Sequence, residues 1–226
     1  MAMGDREREE KRVAAATMKI LDSVDAVKKN GHFVFVNGDH SDTYVNKDNV
    51  LQCPVAVRLI AEMMADPFKG YAQVVVGPAI GGAILASHVA AALAPGTNLT
   101  KYDVFSAYPE KDPRTNGLVF RRGYDTLVHA SRVIVVEDTL TTGDSVKKTI
   151  HAVKKAGGIM IGVAAIWNRG DATAHSLGVN GLHALISTPI PSWKPSECPM
   201  CAAKEPVCME VGHGREFLAS FTDAST

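Results

Sequence analysis

Two adjacent carboxylates, Glu137 and Asp138, follow the apolar run Val133-Ile134-Val135-Val136 and precede Thr139-Leu140-Thr141-Thr142-Gly143-Asp144-Ser145. A buried strand feeding a hydroxyl- and glycine-bearing loop that enters a helix places the loop at the carboxyl end of a parallel strand. Ligands of open α/β sheets bind there. Amides at a helix N-terminus form an anion site, and Thr and Ser hydroxyls add donors for phosphate oxygens. The two acids are poor phosphate ligands but good acceptors for a pair of sugar hydroxyls. A phosphate cradle beside such acids describes a pocket for a phosphorylated pentose. Taken residue by residue, a plain strand, an acidic N-cap and a helix would also satisfy the run.

Further segments carry chemistry of their own. Val76-Gly77-Pro78-Ala79-Ile80-Gly81-Gly82 is a second strand-to-helix turn whose amides suit another phosphate, although small residues also serve helix packing. The stretch from Tyr108 to Gly123 is long enough to be a lid and carries Lys111, Arg121 and Arg122. Arg169, in Trp167-Asn168-Arg169-Gly170, follows an apolar strand and could pair with a ligand carboxylate in a fork geometry. Cys198-Pro199-Met200-Cys201, with Cys208 and a fourth ligand from elsewhere such as His213, could be part of a zinc site. One CxxC without a matching pair fits no common finger, so a reduced structural tail is expected and no protein-held metal. His40 is expected on the substrate side of its turn, His88 and His151 inside helices, and Cys53 as a small buried residue.

The elements that must position these groups follow from patterning. Val13 to Lys29 has helical spacing and stops at Asn30-Gly31, and short strands are expected at 32–36 and 43–45 around Asn37-Gly38-Asp39-His40. A helix from Pro54 to about Phe68, a strand at 73–76 and a helix from Gly81 to Leu93 come next. Strands at 102–107, 133–136 and 159–167 and a helix at 143–156 complete an alternating pattern, which indicates a parallel sheet covered on both faces. The 226 residues are 46% hydrophobic and 21% charged with zero formal net charge, so no broad nucleic-acid or membrane surface is expected. The charged start lacks the apolar centre of a secretory signal, and four cysteines are too sparse for a disulfide scaffold, which points to the cytoplasm. Neither a Walker loop nor a GxGxxG fingerprint is present.

Residues 133–145 resemble the signature with which type I phosphoribosyltransferases bind 5-phosphoribosyl-1-pyrophosphate (PRPP), with Thr139 where an aliphatic residue is usual. The resemblance implies an α/β fold with a twisted, mainly parallel sheet flanked by helices and a small hood from the N- and C-terminal segments. It implies one domain: a core over about 54–170, a hood from about 13–50 and 171–200, and a tail over about 201–226. Glu137 and Asp138 would hold the ribose 2- and 3-hydroxyls, and the loop Thr139, Leu140, Thr141, Thr142, Gly143, Asp144 and Ser145 the 5-phosphate. Pro78, Ala79, Ile80, Gly81 and Gly82 would bind pyrophosphate, and lid cations Lys111 and Arg121 or Arg122 would stabilise its departure. Lys111, Glu137 and Asp138 are thus the catalytic candidates.

Residues 31–200 resemble the orotate branch of that family, through Gly31 to Tyr44, Asn168-Arg169-Gly170 and Pro191-Ser192-Trp193. Thr141 stands where purine enzymes usually carry a carboxylate, so Thr141 and Arg169 are the implied orotate contacts. Val36 stands where many members have Lys, and the lid lacks the histidine that many carry. The implied reaction converts orotate and PRPP into orotidine 5-phosphate and pyrophosphate, in pyrimidine biosynthesis. Mg²⁺ would be held mainly by substrate, and the enzyme would be a homodimer whose lids reach across the interface. A transferase for another base, or a non-catalytic PRPP-binding regulator, are the alternatives.

Overall fold

The computed structural model describes residues 3–94, 104–115 and 117–223. Helix α1 (Met3–Ser23) starts with exposed pairs at helical spacing, Arg6–Glu10 at 2.9 Å and Lys11–Glu7 at 2.7 Å. Its apolar face, with Val13, Ala14, Met18 and Leu21, packs into the core. The chain reverses at Asp25, which has φ +53°, and Ala26 N–H closes the end by donating to Leu21 C=O at 2.9 Å. The helix therefore stops well before Asn30-Gly31. Asn30, at φ +58°, instead marks an irregularity inside β1 (Val27–Val34), where its register against β2 (His40–Val45) slips between Lys29 and Phe33. Asp and Asn both tolerate the left-handed conformation, so the sequence offered two plausible ends.

Helix α2 (Lys47–Leu51) leads into α3 (Pro54–Ala65), with Pro54 at a position that needs no N–H. A 3-10 turn, Asp66–Phe68, ends it. Then come β3 (Val74–Val76), α4 (Gly81–Leu93) and β4 (Phe105–Ala107). The strand expected at 102–107 is described only in part, since residues 102 and 103 lie outside the described residues. The stretch expected as a long loop carries a two-stranded antiparallel ribbon, β5 (Glu110–Lys111) with β6 (Leu118–Val119). Asp112 caps its turn by accepting from Arg114 N–H and Thr115 Oγ1. Position 116 of that stretch lies outside the described residues.

Helix α5 (Tyr124–Val128) precedes β7 (Arg132–Leu140), α6 (Asp144–Lys155) and β8 (Ile159–Asn168). Strand β7 does not stop at Val136 as expected but continues through Glu137 and Asp138 to Leu140, pairing with β8 along most of its length. Helix α7 (Ala174–Leu177), β9 (Leu182–Ser187), α8 (Pro199–Ala202) and α9 (Gly214–Asp223) follow. Among the described residues the central sheet has the order β4-β3-β7-β8-β9, and every neighbouring pair is parallel. Strand β9 comes from the segment expected in the hood. Its short apolar run closes the edge of the core sheet instead.

Alternation along the strands divides the core. Val75, Ile134 and Val136 face α1, α3 and α4, whereas Val74, Val76, Val133 and Val135 face the side of α6. The hood is the β1–β2 hairpin, fastened to the C-terminal segment by His40 N–H to Trp193 C=O (2.7 Å) and Trp193 N–H to His40 C=O (2.8 Å). No helix among the described residues is long and apolar enough to cross a membrane.

Candidate active site

In this strand order the chain leaves β3 in one direction to reach β4 and lies on the other side at β7, so the switch point falls between β3 and β7. Both glycine-bearing turns sit there. Three adjoining cavities open above them. One of about 230 Å³ is lined by Pro78, Ala79, Ile80, Gly81 and Gly82 together with Lys47, Glu137, Asp138 and Ser145. A second of about 130 Å³ is formed by Glu137 and residues 139–146. The third, of about 280 Å³, is walled by Phe35, Val36, Tyr44, Lys47, Asp138, Thr141 and Arg169. Thr139 lines all three.

The acids at the junction are 7% (Glu137) and 5% (Asp138) exposed. Burial, then the neighbouring Asp138 charge, pushes the Glu137 pKa up to about 7, so near neutrality it is poised between acid and carboxylate. Lys47 Nζ stands 3.0 Å from Asp138 Oδ2. Burial works against the Lys47 charge, yet Asp138, with Glu137 and Asp48, holds its pKa above the ordinary ammonium value. Asp138 Oδ2 has no hydrogen-bond partner other than this ammonium among the described residues. Gly81 lets this acid approach the turn: a Cβ there would sit 2.9 Å from Asp138 Oδ2.

The loop after β7 is anchored by Leu140 and Val146, both buried, while Thr141, Thr142, Asp144 and Ser145 are exposed. Gly143, at φ +73°, caps α6 in a conformation that a side chain disfavours. Gly143 has no side chain to cap this N-terminus and Asp144 N–H donates to the neighbouring Thr142 Oγ1 at 3.4 Å, so the positive end of α6 that lines the 130 Å³ cavity suits an anion. Lys147 Nζ donates to Thr142 C=O at 3.0 Å and brings a cation to the same turn.

Arg169 organises the third cavity. Its guanidinium lies 4.2 Å over the Phe35 ring, and Nε donates to Thr141 Oγ1 at 3.3 Å. Burial lowers its pKa, opposed by Tyr44 and Asp138, and a guanidinium stays charged through such a shift. A half-buried cation stacked beside an aromatic wall suits a flat ligand bearing a carboxylate.

The structure thus brings together the expected turn 137–145, the turn 78–82, Thr141 and Arg169. It does not bring the ribbon cations there: Lys111, Arg121 and Arg122 line none of the three cavities. Arg122 and Arg121 instead lie 3.0 and 3.9 Å from Glu110 carboxylate oxygens, and Lys111 forms no ion pair among the described residues. Nor does His40 reach the ligand side, since it is fully buried against His32. Sequence reasoning missed Lys47 and the walls Phe35 and Tyr44. Nothing local in Asn46-Lys47-Asp48 signals an acid on a distant strand.

A parallel sheet with two glycine-bearing turns beside a buried acid pair at its switch point is the architecture of the phosphoribosyltransferase class. The chain belongs to the phosphoribosyl transferase domain family, whose profile matches residues 46–181. It is 36% identical over 185 residues to the orotate phosphoribosyltransferase of Caldanaerobacter subterraneus, covering 81% of this chain and 90% of that one. It is 34% identical over 178 residues to the enzyme of that name from Thermus thermophilus, covering 78% and 90%. Its fold matches the crystal structure of Mycobacterium tuberculosis orotate phosphoribosyltransferase in complex with PRPP, with a TM-score of 0.56 at 23% identity over 77% of this chain and 96% of that one.

Proposed function

We propose that this chain transfers the phosphoribosyl group of PRPP to orotate, releasing orotidine 5-phosphate and pyrophosphate, as a cytoplasmic step of pyrimidine biosynthesis. The observation that carries the orotate assignment is Arg169, held over Phe35 and bonded to Thr141 in a cavity that shares Asp138 with the ribose site. The curated relatives with this activity in their names support it.

In this reading the amides of the α6 N-terminus hold the 5-phosphate, and Glu137 and Asp138 accept the ribose hydroxyls. Arg169 and Thr141 orient orotate so that its ring nitrogen meets the anomeric carbon as the bond to pyrophosphate oxygen breaks. The turn 78–82 and Lys47 receive the charge that accumulates on the leaving group. The donor set suits Mg²⁺ only as a partner of substrate: an ammonium adjoins Asp138 Oδ2, and burial beside Asp138 raises the Glu137 pKa and disfavours its charged form. When bound with PRPP, Mg²⁺ would supply charge neutralisation for the departing pyrophosphate. Lys111, Arg121 and Arg122 act from a lid in a homodimer, reaching the partner's site. A spectrophotometric assay of orotate consumption with PRPP and Mg²⁺ tests the assignment. Loss of orotate absorbance is expected, and consumption of PRPP with a purine but not with orotate would refute it.

A further inference from the structure

Four side chains converge in the hood without lining any of the three cavities: His32 in β1, His40 at the start of β2, and Cys198 and Cys201 around α8. One potential ligand atom from each lies within 4.8 Å of all the others. His32 is 3% exposed, His40 0% and Cys198 2%. We propose that these residues form a structural Cys2His2 site for zinc(II), which clips the C-terminal segment onto the β1–β2 hairpin.

The distances fit a tetrahedral ion. With metal–sulfur bonds near 2.3 Å and metal–nitrogen bonds near 2.05 Å, nitrogen–sulfur edges come to about 3.5 Å and a nitrogen–nitrogen edge to about 3.3 Å. Cys198 Sγ and Cys201 Sγ each stand 3.6 Å from His32 Nε2, and Cys201 Sγ stands 3.3 Å from His40 Nδ1. His32 Nε2 and His40 Nδ1 are 2.7 Å apart, so the rings would open by about 0.6 Å to admit the ion.

The surroundings are those of a ligand shell. His32 Nδ1 is 2.9 Å from Glu205 C=O, a bond that makes Nδ1 the donor and leaves the Nε2 lone pair facing the cluster. Cys201 N–H donates to Cys198 Sγ at 3.5 Å and spreads a thiolate's charge. His40 turns Nδ1 to the cluster, its ring packed T-shaped on Phe217, and Nε2, which carries the proton when Nδ1 ligates, has no hydrogen-bond partner among the described residues. Two thiolates and two neutral imidazoles balance a divalent charge, so the site can be buried as a neutral unit. Four protein ligands leave no open position, which distinguishes a structural site from a hydrolytic one.

The fourth-ligand candidates legible in the sequence are replaced. Cys208 contributes its backbone N–H to His32 C=O at 2.8 Å, and His213 lines the 280 Å³ cavity instead. The two histidines lie in the hairpin that also supplies Phe35 and Tyr44 to that cavity, so the clip braces a wall of the orotate site.

Metal analysis of the full chain, equilibrated with zinc(II) and desalted without chelators, tests the proposal. Roughly one zinc per chain is expected for the natural sequence and for Cys208→Ser, with background levels for Cys198→Ser/Cys201→Ser. After stripping, cobalt(II) should give the intense visible bands of a tetrahedral thiolate complex. A metal-free natural chain would overturn the idea whether or not the variants fold. So would an octahedral cobalt spectrum, a mass deficit of two hydrogens marking a Cys198–Cys201 disulfide, or zinc retained by a folded double variant.

Discussion

Lys47 Nζ lies 3.0 Å from Asp138 Oδ2, joining the helix that follows the hood hairpin to the buried acid of the central sheet. The ammonium is half exposed and also faces the turn 78–82, so it can neutralise Asp138 before substrate binds and touch phosphate afterwards. Replacing Lys47 with Ala should lower kcat/KM for PRPP by about 10- to 100-fold, the range for a lost hydrogen bond to a charged group. Steady-state kinetics with varied PRPP measures this; an unchanged value would reduce the pair to a structural tie.

Asp138→Asn should keep the fold, because the amide matches the carboxylate in shape, while turnover falls by at least about 100-fold. Circular dichroism and kcat measured on the same preparation separate the two effects. Turnover equal to that of the natural chain would remove Asp138 from the ribose role.

Arg169→Ala should raise the KM for orotate by about 10- to 100-fold and leave that for PRPP nearly constant. The variant exposes the Phe35 ring that the guanidinium covers, so a modest loss of stability accompanies it. Equal weakening of both substrates would contradict pairing with the orotate carboxylate.

Glu137 predicts the pH dependence of the unliganded protein. Its carboxyl binds a proton more tightly in the folded chain, at about 7, than in the unfolded one, at 4.5. Folding therefore takes up a proton between those values, and stability falls as pH rises from 4.5 to 7, by on the order of 3 kcal/mol in the limit. Melting temperatures across that window at fixed ionic strength should decline for the natural chain and vary less for Glu137→Gln. Parallel curves would show that other groups govern the slope.

Much of the site was legible because its two main parts are continuous. Each is a buried strand, a glycine-bearing turn and a helix start, so residues 76–82 and 133–145 carry both the candidate groups and the local geometry that presents them. Boundaries were less secure. The end of α1 was misjudged because Asp25 and Asn30 can both take a left-handed turn, and β7 outran its apolar run because pairing with β8 carries it through two acids.

By itself, the sequence determined the alternating strands and helices, the acid pair, the two glycine-bearing turns and Arg169 as a candidate. Local pattern and residue chemistry suffice for those. Only the tertiary structure decided that β9 completes the sheet, that Lys47 faces Asp138, and that His32 and His40 meet Cys198 and Cys201. Those relationships join segments far apart in the chain, and their distances follow from strand order, hairpin register and packing, which no local spacing encodes.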